Sequence, residues 1–102
     1  MGLPKLKLAR LRDIGWSAWD PIGLLGDGES WDDQPFADEY DSYLMQAAGE
    51  LRRGASLSDV VDFLVHIESE HMGMGVRHDA KERATKVAWM IQSDKELWTE
   101  RN

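Results

Sequence analysis

Residues 37–54 read ADEYDSYLMQAAGELRRG and carry the clearest helical pattern in the chain. Their apolar side chains recur at helical spacing, at Tyr40, Tyr43, Leu44, Ala47 and Leu51. These side chains would form one apolar face, while the acids of the first turn and the arginines of the last complement the helix dipole. Gly54 suits the left-handed conformation that closes a helix. The pattern therefore predicts an amphipathic helix over about residues 37–53.

Two further helices are predicted downstream of this segment. Ser56 and Asp59 form an aspartate variant of the helix-capping box. An apolar face follows them, so we expect a helix from Ser56 that ends at Gly73 or Gly75. Asp79 opens another capping box, and the small and branched residues after it recur at helical spacing. We therefore expect the last helix to begin at Asp79.

The N-terminal segment is ambiguous in pattern. Leu6, Leu8 and Leu11 fit a short strand or a helix about equally well, and we favour a helix over about residues 7–19. The stretch that follows, through Pro35, is rich in glycine and acids and has no periodicity. The sequence thus predicts an all-α protein: one domain over residues 1–102, a small bundle of about four helices with an irregular acidic connection after the first helix.

Charge is segregated along the chain. The 102 residues hold 12 lysines and arginines against 19 acids, a net charge of −7. Residues 1–12 carry four basic side chains and no acid, whereas residues 13–50 carry ten acids and no base. We expect the basic arm to fold back onto the acidic middle, in preference to its serving as an interaction arm.

Composition excludes several classes of function. An acidic surface repels phosphates, so we expect no nucleic-acid partner. The chain has no cysteine, which excludes disulfides, thiolate metal sites and cysteine nucleophiles. Its longest apolar runs fall far short of the roughly 18 residues of a membrane span. We therefore expect a cytoplasmic protein with no membrane partner and no cofactor.

Glu68 and His71 are the most informative polar residues of the second helix. Helical phase places both on or beside the apolar face, three residues apart, where their side chains can touch. A buried carboxylate needs a partner, for which His71, a capping amide or a tyrosine hydroxyl are candidates. We favour a structural pair over a general acid/base pair, because no nucleophile accompanies them. His66 and His71 are five apart, so on an α-helix they cannot share a metal.

Three motifs resemble those of a known family. They are WDPIG at residues 19–23, DEYDSY at 38–43 and IESEHMGM at 67–74. The order and wording resemble a family of small, uncharacterised, mostly helical bacterial proteins, described as a domain of unknown function, with Met74 where that family often has leucine. The resemblance implies a helical fold and a bacterial origin, and it implies no reaction.

Two sets of candidate site residues follow. The first set would form a buried polar network or a small acidic pocket: Asp20, Tyr40, Asp41, Tyr43, Glu68 and His71. The second set comprises candidates for binding a partner: Trp31, Asp32, Asp33 and Trp89. Trp89 stands opposite the apolar face of the last helix, so we expect another segment to cover it, and the alternative is a partner or a second copy in a homodimer.

The sequence is compatible with two functions. The first is a noncatalytic module that docks a basic protein partner, in the manner of an inhibitor or immunity-type protein, because the acidic middle would attract such a partner. The alternative is a small metal-dependent or acid/base hydrolase that uses the motif carboxylates and His71. No catalytic or metal-binding motif supports the second function, and we predict no metal site.

Overall fold

The computed structural model describes residues 5–20, 23–26, 28–75 and 77–99. These residues contain four α-helices: α1 (Leu8–Ala18), α2 (Asp41–Arg52), α3 (Leu57–His66) and α4 (Ala80–Ser93). The shorter elements are a 3-10 turn at Trp31–Asp33, a π turn at Ile67–His71 and a pair of two-residue strands, β1 (Lys5–Leu6) and β2 (Trp98–Thr99). The strands pair antiparallel, with Leu6 opposite Trp98. The prediction of an all-α protein is confirmed.

The helices share one core. Helix α4 packs against the other three, and α2 also packs against α1 and α3. Each helix contributes a fully buried apolar side chain: Leu11, Leu44, Leu64 and Val87. Burying a side chain of this size stabilises a fold by about 1.5–3 kcal/mol. Ala84 and Ala88 are also fully buried, and their small size allows α4 to approach its neighbours closely.

Helix α2 begins four residues later than the sequence pattern predicts. Residues 35–40 form successive turns instead of helix. The Trp16 indole, on α1, donates a hydrogen bond to the carbonyl oxygen of Ala37 at 3.1 Å, and the ring of Phe36 packs against it. Contacts with α1 thus hold the chain in turns where local propensity favours a helix.

The second predicted helix changes its geometry before it ends. It is α-helical to His66 and then makes the π turn, in which the amide of Met72 donates to the carbonyl of Ile67 at 2.8 Å. Such a five-residue spacing adds one residue to the turn. Gly73 and Gly75 follow with φ of +67° and +70°, a region that glycine enters without steric cost. The predicted glycine stop is therefore confirmed.

The N-terminal arm folds back, as expected from its charge. Arg12 forms an ion pair with Asp41 at 2.6 Å. Arg10 instead reaches the end of α4, where its guanidinium donates to both carboxylate oxygens of Asp94 at 2.8 and 2.9 Å. Two of the four basic side chains of the arm are therefore paired with acids, Arg12 with the acidic middle and Arg10 with the C-terminal segment.

The pair between Arg10 and Asp94 predicts a pH dependence of stability. The hydrogen bonds from Arg10 lower the pKa of Asp94 below its ordinary value of 3.8. A lowered carboxylate pKa gives stability that is present above the ordinary pKa and is lost as pH falls through the folded-state pKa. Arg10→Met should therefore lower the free energy of unfolding at neutral pH, and the difference from wild type should shrink below about pH 4.

Urea unfolding over a pH series measures this difference. Arg53→Met is the matched control, because Arg53 is exposed and its guanidinium lies 3.8 Å from the Glu50 carboxylate, a longer contact than that of Arg10 with Asp94. We expect the control to show little difference from wild type at any pH. If the difference in unfolding free energy between Arg10→Met and wild type stayed constant down to acid pH, it would contradict the view that the effect comes from the pair with Asp94.

Candidate functional site

Asp20 ties the end of α1 to the residues that precede α2. Its carboxylate accepts hydrogen bonds from the Tyr40 hydroxyl at 2.7 Å and from the backbone amides of Leu24 and Leu25 at 3.0 and 3.1 Å. Its φ of +31° is positive, a conformation that aspartate and asparagine adopt more readily than most residues. Asp20 therefore fixes both the direction of the chain and the start of the connection. Pro21 and Ile22 of the WDPIG motif lie outside the described residues.

An aromatic cluster surrounds the Asp20 contact. Tyr40 is buried, and its ring centroid lies 4.7 Å from that of Trp16 and 5.4 Å from that of Trp19. Tyr43 contacts the Trp19 ring on one side and the His71 ring, at 5.5 Å, on the other. A hydrogen bond therefore joins Asp20 to Tyr40, whereas Tyr40, Tyr43 and His71 are linked by ring contacts that pass through Trp19.

Asp41 is occupied differently from Asp20. Its two carboxylate oxygens accept hydrogen bonds from the Arg12 guanidinium, at 2.9 and 2.6 Å. Although burial by itself lowers an arginine pKa, the hydrogen bonds to Asp41 are the larger effect and hold the pKa of Arg12 above its ordinary value. Asp41 therefore fastens α1 to the first turn of α2.

Glu68 is fully buried, as predicted, but its partners are two arginines. Its Oε2 accepts a hydrogen bond from Arg83 Nη2 at 2.5 Å and one from Arg77 Nε at 3.1 Å. Arg83 also pairs with Asp79 at 2.5 Å. Burial alone would lower the pKa of Arg83, yet the two carboxylates outweigh it and raise that pKa. The ion pairs join the π turn to α4 and to the segment before it.

The predicted contact between Glu68 and His71 is wrong. His71 is exposed, and the described residues contain no hydrogen bond between the two side chains. The cause is the π turn, because its extra residue breaks the α-helical rule that side chains three apart share a face. A signal for the true partner was present in the sequence: Arg83 lies three residues after Ala80 and four before Val87, beside the apolar stripe of α4.

The motif carboxylates do not converge on one site. Asp20 is held by Tyr40 and two amides, Asp41 by Arg12, and Glu68 by two arginines. Within the described ranges, no group of three or more histidines and acids is placed to hold a metal ion. The hydrolase alternative needs these groups around a shared substrate or ion, and their observed contacts place each in a separate structural role.

The acidic segment, defined here as residues 28–41, is built onto α1. The Trp31 indole donates a hydrogen bond to the carboxylate of Asp13, and the Arg12 guanidinium carbon lies 5.9 Å from the centroid of the Trp31 ring. Phe36 and Tyr40 pack onto Trp16. The exposed acids of the segment are Glu29, Asp32, Asp33, Asp38 and Glu39. In the part of the chain that the structure describes, none of these five forms an ion pair.

The structure keeps three of the four candidate partner-binding residues together. Trp31, Asp32 and Asp33 form the 3-10 turn, in which Trp31 is half-buried and the two acids are exposed. Asp38 and Glu39 belong to the same segment and extend its charge. The helical pattern placed Asp38 and Glu39 in α2, although the acid-rich composition of residues 28–41 indicated that they belong to this segment.

Trp89 lies in a different setting from the acidic segment. It is 58% exposed on the outward face of α4, beside Lys81 and Lys86. The expectation that another segment covers this face is therefore wrong. The described N-terminal arm instead pairs with β2, and Lys7 donates its amide to the carbonyl of Leu97, which directs the arm past the end of α4.

Comparison of the chain with protein-family models, with curated proteins and with solved structures finds no match. The resemblance of the three motifs to the family of small helical bacterial proteins therefore stays a prediction. Among the described residues, no helix is long and apolar enough to cross a membrane.

Proposed function

We propose that the protein is a noncatalytic, cytoplasmic binding module that docks a basic protein partner on the acidic segment, in the manner of an inhibitor or immunity-type protein. One observation carries the proposal. The exposed acids of residues 28–41 have no ion pair within the described chain, whereas Asp41, at the buried side of the segment, has Arg12. Exposed charge of one sign that is not held in ion pairs attracts a partner of opposite charge.

The anchoring of the segment supports binding in a fixed shape. Trp31, Phe36 and Tyr40 hold the backbone against α1, so the acids project from a supported surface. A binding surface ordered before the encounter loses less conformational entropy on association. Half-buried Trp31 offers the centre of this surface an aromatic side chain of the kind that anchors protein interfaces.

Affinity capture from a native bacterial lysate at low salt tests the proposal. The test variant removes three charges, as Asp33→Asn, Asp38→Asn and Glu39→Gln. A matched control removes the same residue types from the exposed face of α3 and the π turn, as Asp59→Asn, Asp62→Asn and Glu70→Gln. We expect wild type and the control to recover the same basic protein in equal amounts. The test variant should recover about tenfold less of it, because each lost contact weakens a charge-dependent complex.

Three results would contradict the proposal. One is equal recovery by all three baits, which would assign binding to another surface. Another is repeated recovery of no protein above the test variant. Recovered proteins with an acidic isoelectric point would also count against it, because acidic side chains repel such partners.

A further inference from the structure

Besides the acidic segment, the outward face of α4 is an exposed surface that does not take part in the core. Glu82, Thr85, Lys86 and Trp89 project from it within two helical turns, and all four are exposed. Glu82 and Lys86 are four residues apart and have opposite charge. Trp89 is the most exposed large apolar side chain among the described residues, and nothing in the described chain covers it.

This face is complementary to itself in the antiparallel orientation. When two copies of α4 lie antiparallel about a twofold axis near the level of Ala84, Glu82 of each copy stands opposite Lys86 of the other. Trp89 of each copy then lies over the start of the partner helix, near Lys81 in its first turn and His78 just before it. The long stem of lysine covers an aromatic ring, and its ammonium favours the face of that ring.

We propose that this face binds a second copy of the chain, in a twofold dimer with antiparallel α4 helices. Because a twofold axis repeats every contact, the interface holds two Glu82–Lys86 pairs and two buried Trp89 rings. The acidic segment shares none of these residues, so the dimer does not depend on the proposed basic partner.

The interface is small, which sets how it must be measured. Helix α4 has 14 residues and is therefore about 21 Å long. One helix face of this length buries less than the roughly 1,200 Å² of a standard stable interface. We therefore expect a weak dimer that forms as protein concentration rises, which sedimentation equilibrium follows directly.

Charge reversal gives the decisive test, because it exploits the twofold symmetry. Glu82→Lys alone and Lys86→Glu alone each turn both pairs repulsive, so each variant should dimerise about tenfold more weakly than wild type. An equimolar mixture of the two variants should dimerise again, since every pair in the mixed dimer is attractive. Trp89→Ala should weaken the dimer in every background. Asp62→Lys on α3 has the same change of net charge as Glu82→Lys and should dimerise as wild type does.

Three outcomes would overturn the proposal. They are a wild type that stays monomeric at all concentrations, a mixture that associates no better than either variant alone, and a dimer that Trp89→Ala leaves unchanged. Rescue by mixing cannot come from unfolding or from a general charge effect, because both variants are unchanged in the mixture. Failure of the lysate capture would not affect any of these measurements.

Discussion

Glu68→Ala should lower the free energy of unfolding by about 3–5 kcal/mol, the cost of removing one partner from a buried ion pair. Glu68 is fully buried, and the side chain of Arg83 is only 20% exposed. Removing the carboxylate leaves the guanidinium groups of Arg77 and Arg83 close together with less negative charge beside them. It also detaches the π turn from α4. Because a domain of this size has a total stability of about 5–15 kcal/mol, the loss is a large share of it.

Glu68→Gln should cost less, about 1–3 kcal/mol. The amide keeps the shape and an acceptor oxygen for Arg83. Glu68 Oε1 accepts no hydrogen bond in the described part of the chain, so the amide nitrogen can take that position without displacing a donor. The charge that compensates Arg77 and Arg83 is nevertheless lost.

A double-mutant cycle with Arg83→Met separates the ion pair from simple packing loss. Glu68→Ala combined with Arg83→Met should cost less than the sum of the single variants, because the second change removes the charge that the first leaves unpaired. Urea unfolding of the four proteins measures the coupling. An unchanged midpoint for Glu68→Ala, or strict additivity in the cycle, would contradict a structural role for the carboxylate.

Asp20→Ala should lower the free energy of unfolding by about 2–3 kcal/mol, since one carboxylate accepts three hydrogen bonds. Alanine also tolerates the positive φ of this position poorly. Asp20→Asn should cost only about 1 kcal/mol, because asparagine adopts positive φ more readily and keeps one acceptor oxygen.

Tyr40→Phe isolates the side-chain part of this arrangement. It removes the 2.7 Å hydrogen bond to Asp20 and keeps the ring between Trp16 and Trp19. We expect a loss of about 1 kcal/mol, measured by thermal or urea unfolding. Equal stabilities of the Asp20→Ala and Asp20→Asn variants would contradict the account of Asp20 as the residue that fixes the connection.

Local patterns in the sequence were enough to predict that four helices form, although not where each begins and ends. Ser56 caps α3 through its side-chain oxygen, which accepts from the amide of Asp59 at 3.0 Å, as the capping box implies. Gly54 lies two residues after the end of α2 and has φ of +99°. The start of α2 could not be predicted, because the Trp16 contact with Ala37 joins residues 21 apart in sequence.

The sequence predicted which residues belong to the candidate site better than it predicted their contacts. Burial of Glu68 follows from helical phase, which the α3 pattern supplies up to Ile67. The position of Arg83 beside the apolar stripe of α4 marked it as a possible partner, but the pairing itself depends on how α4 packs against the π turn, which the sequence pattern did not indicate. The position of the N-terminal arm was likewise not predictable, because β1 pairs with β2 at the other end of the described chain.

The central claim, that the acidic segment attracts a basic partner, is tested most directly by association kinetics. The measurement is the association rate constant of the captured protein with wild type and with the Asp33→Asn, Asp38→Asn, Glu39→Gln variant, as ionic strength rises. We predict that the wild-type rate falls steeply with salt, and that the variant is slower at low salt and depends less on salt, since screening removes long-range steering. Equal rates and equal salt dependence for the two proteins would contradict the claim.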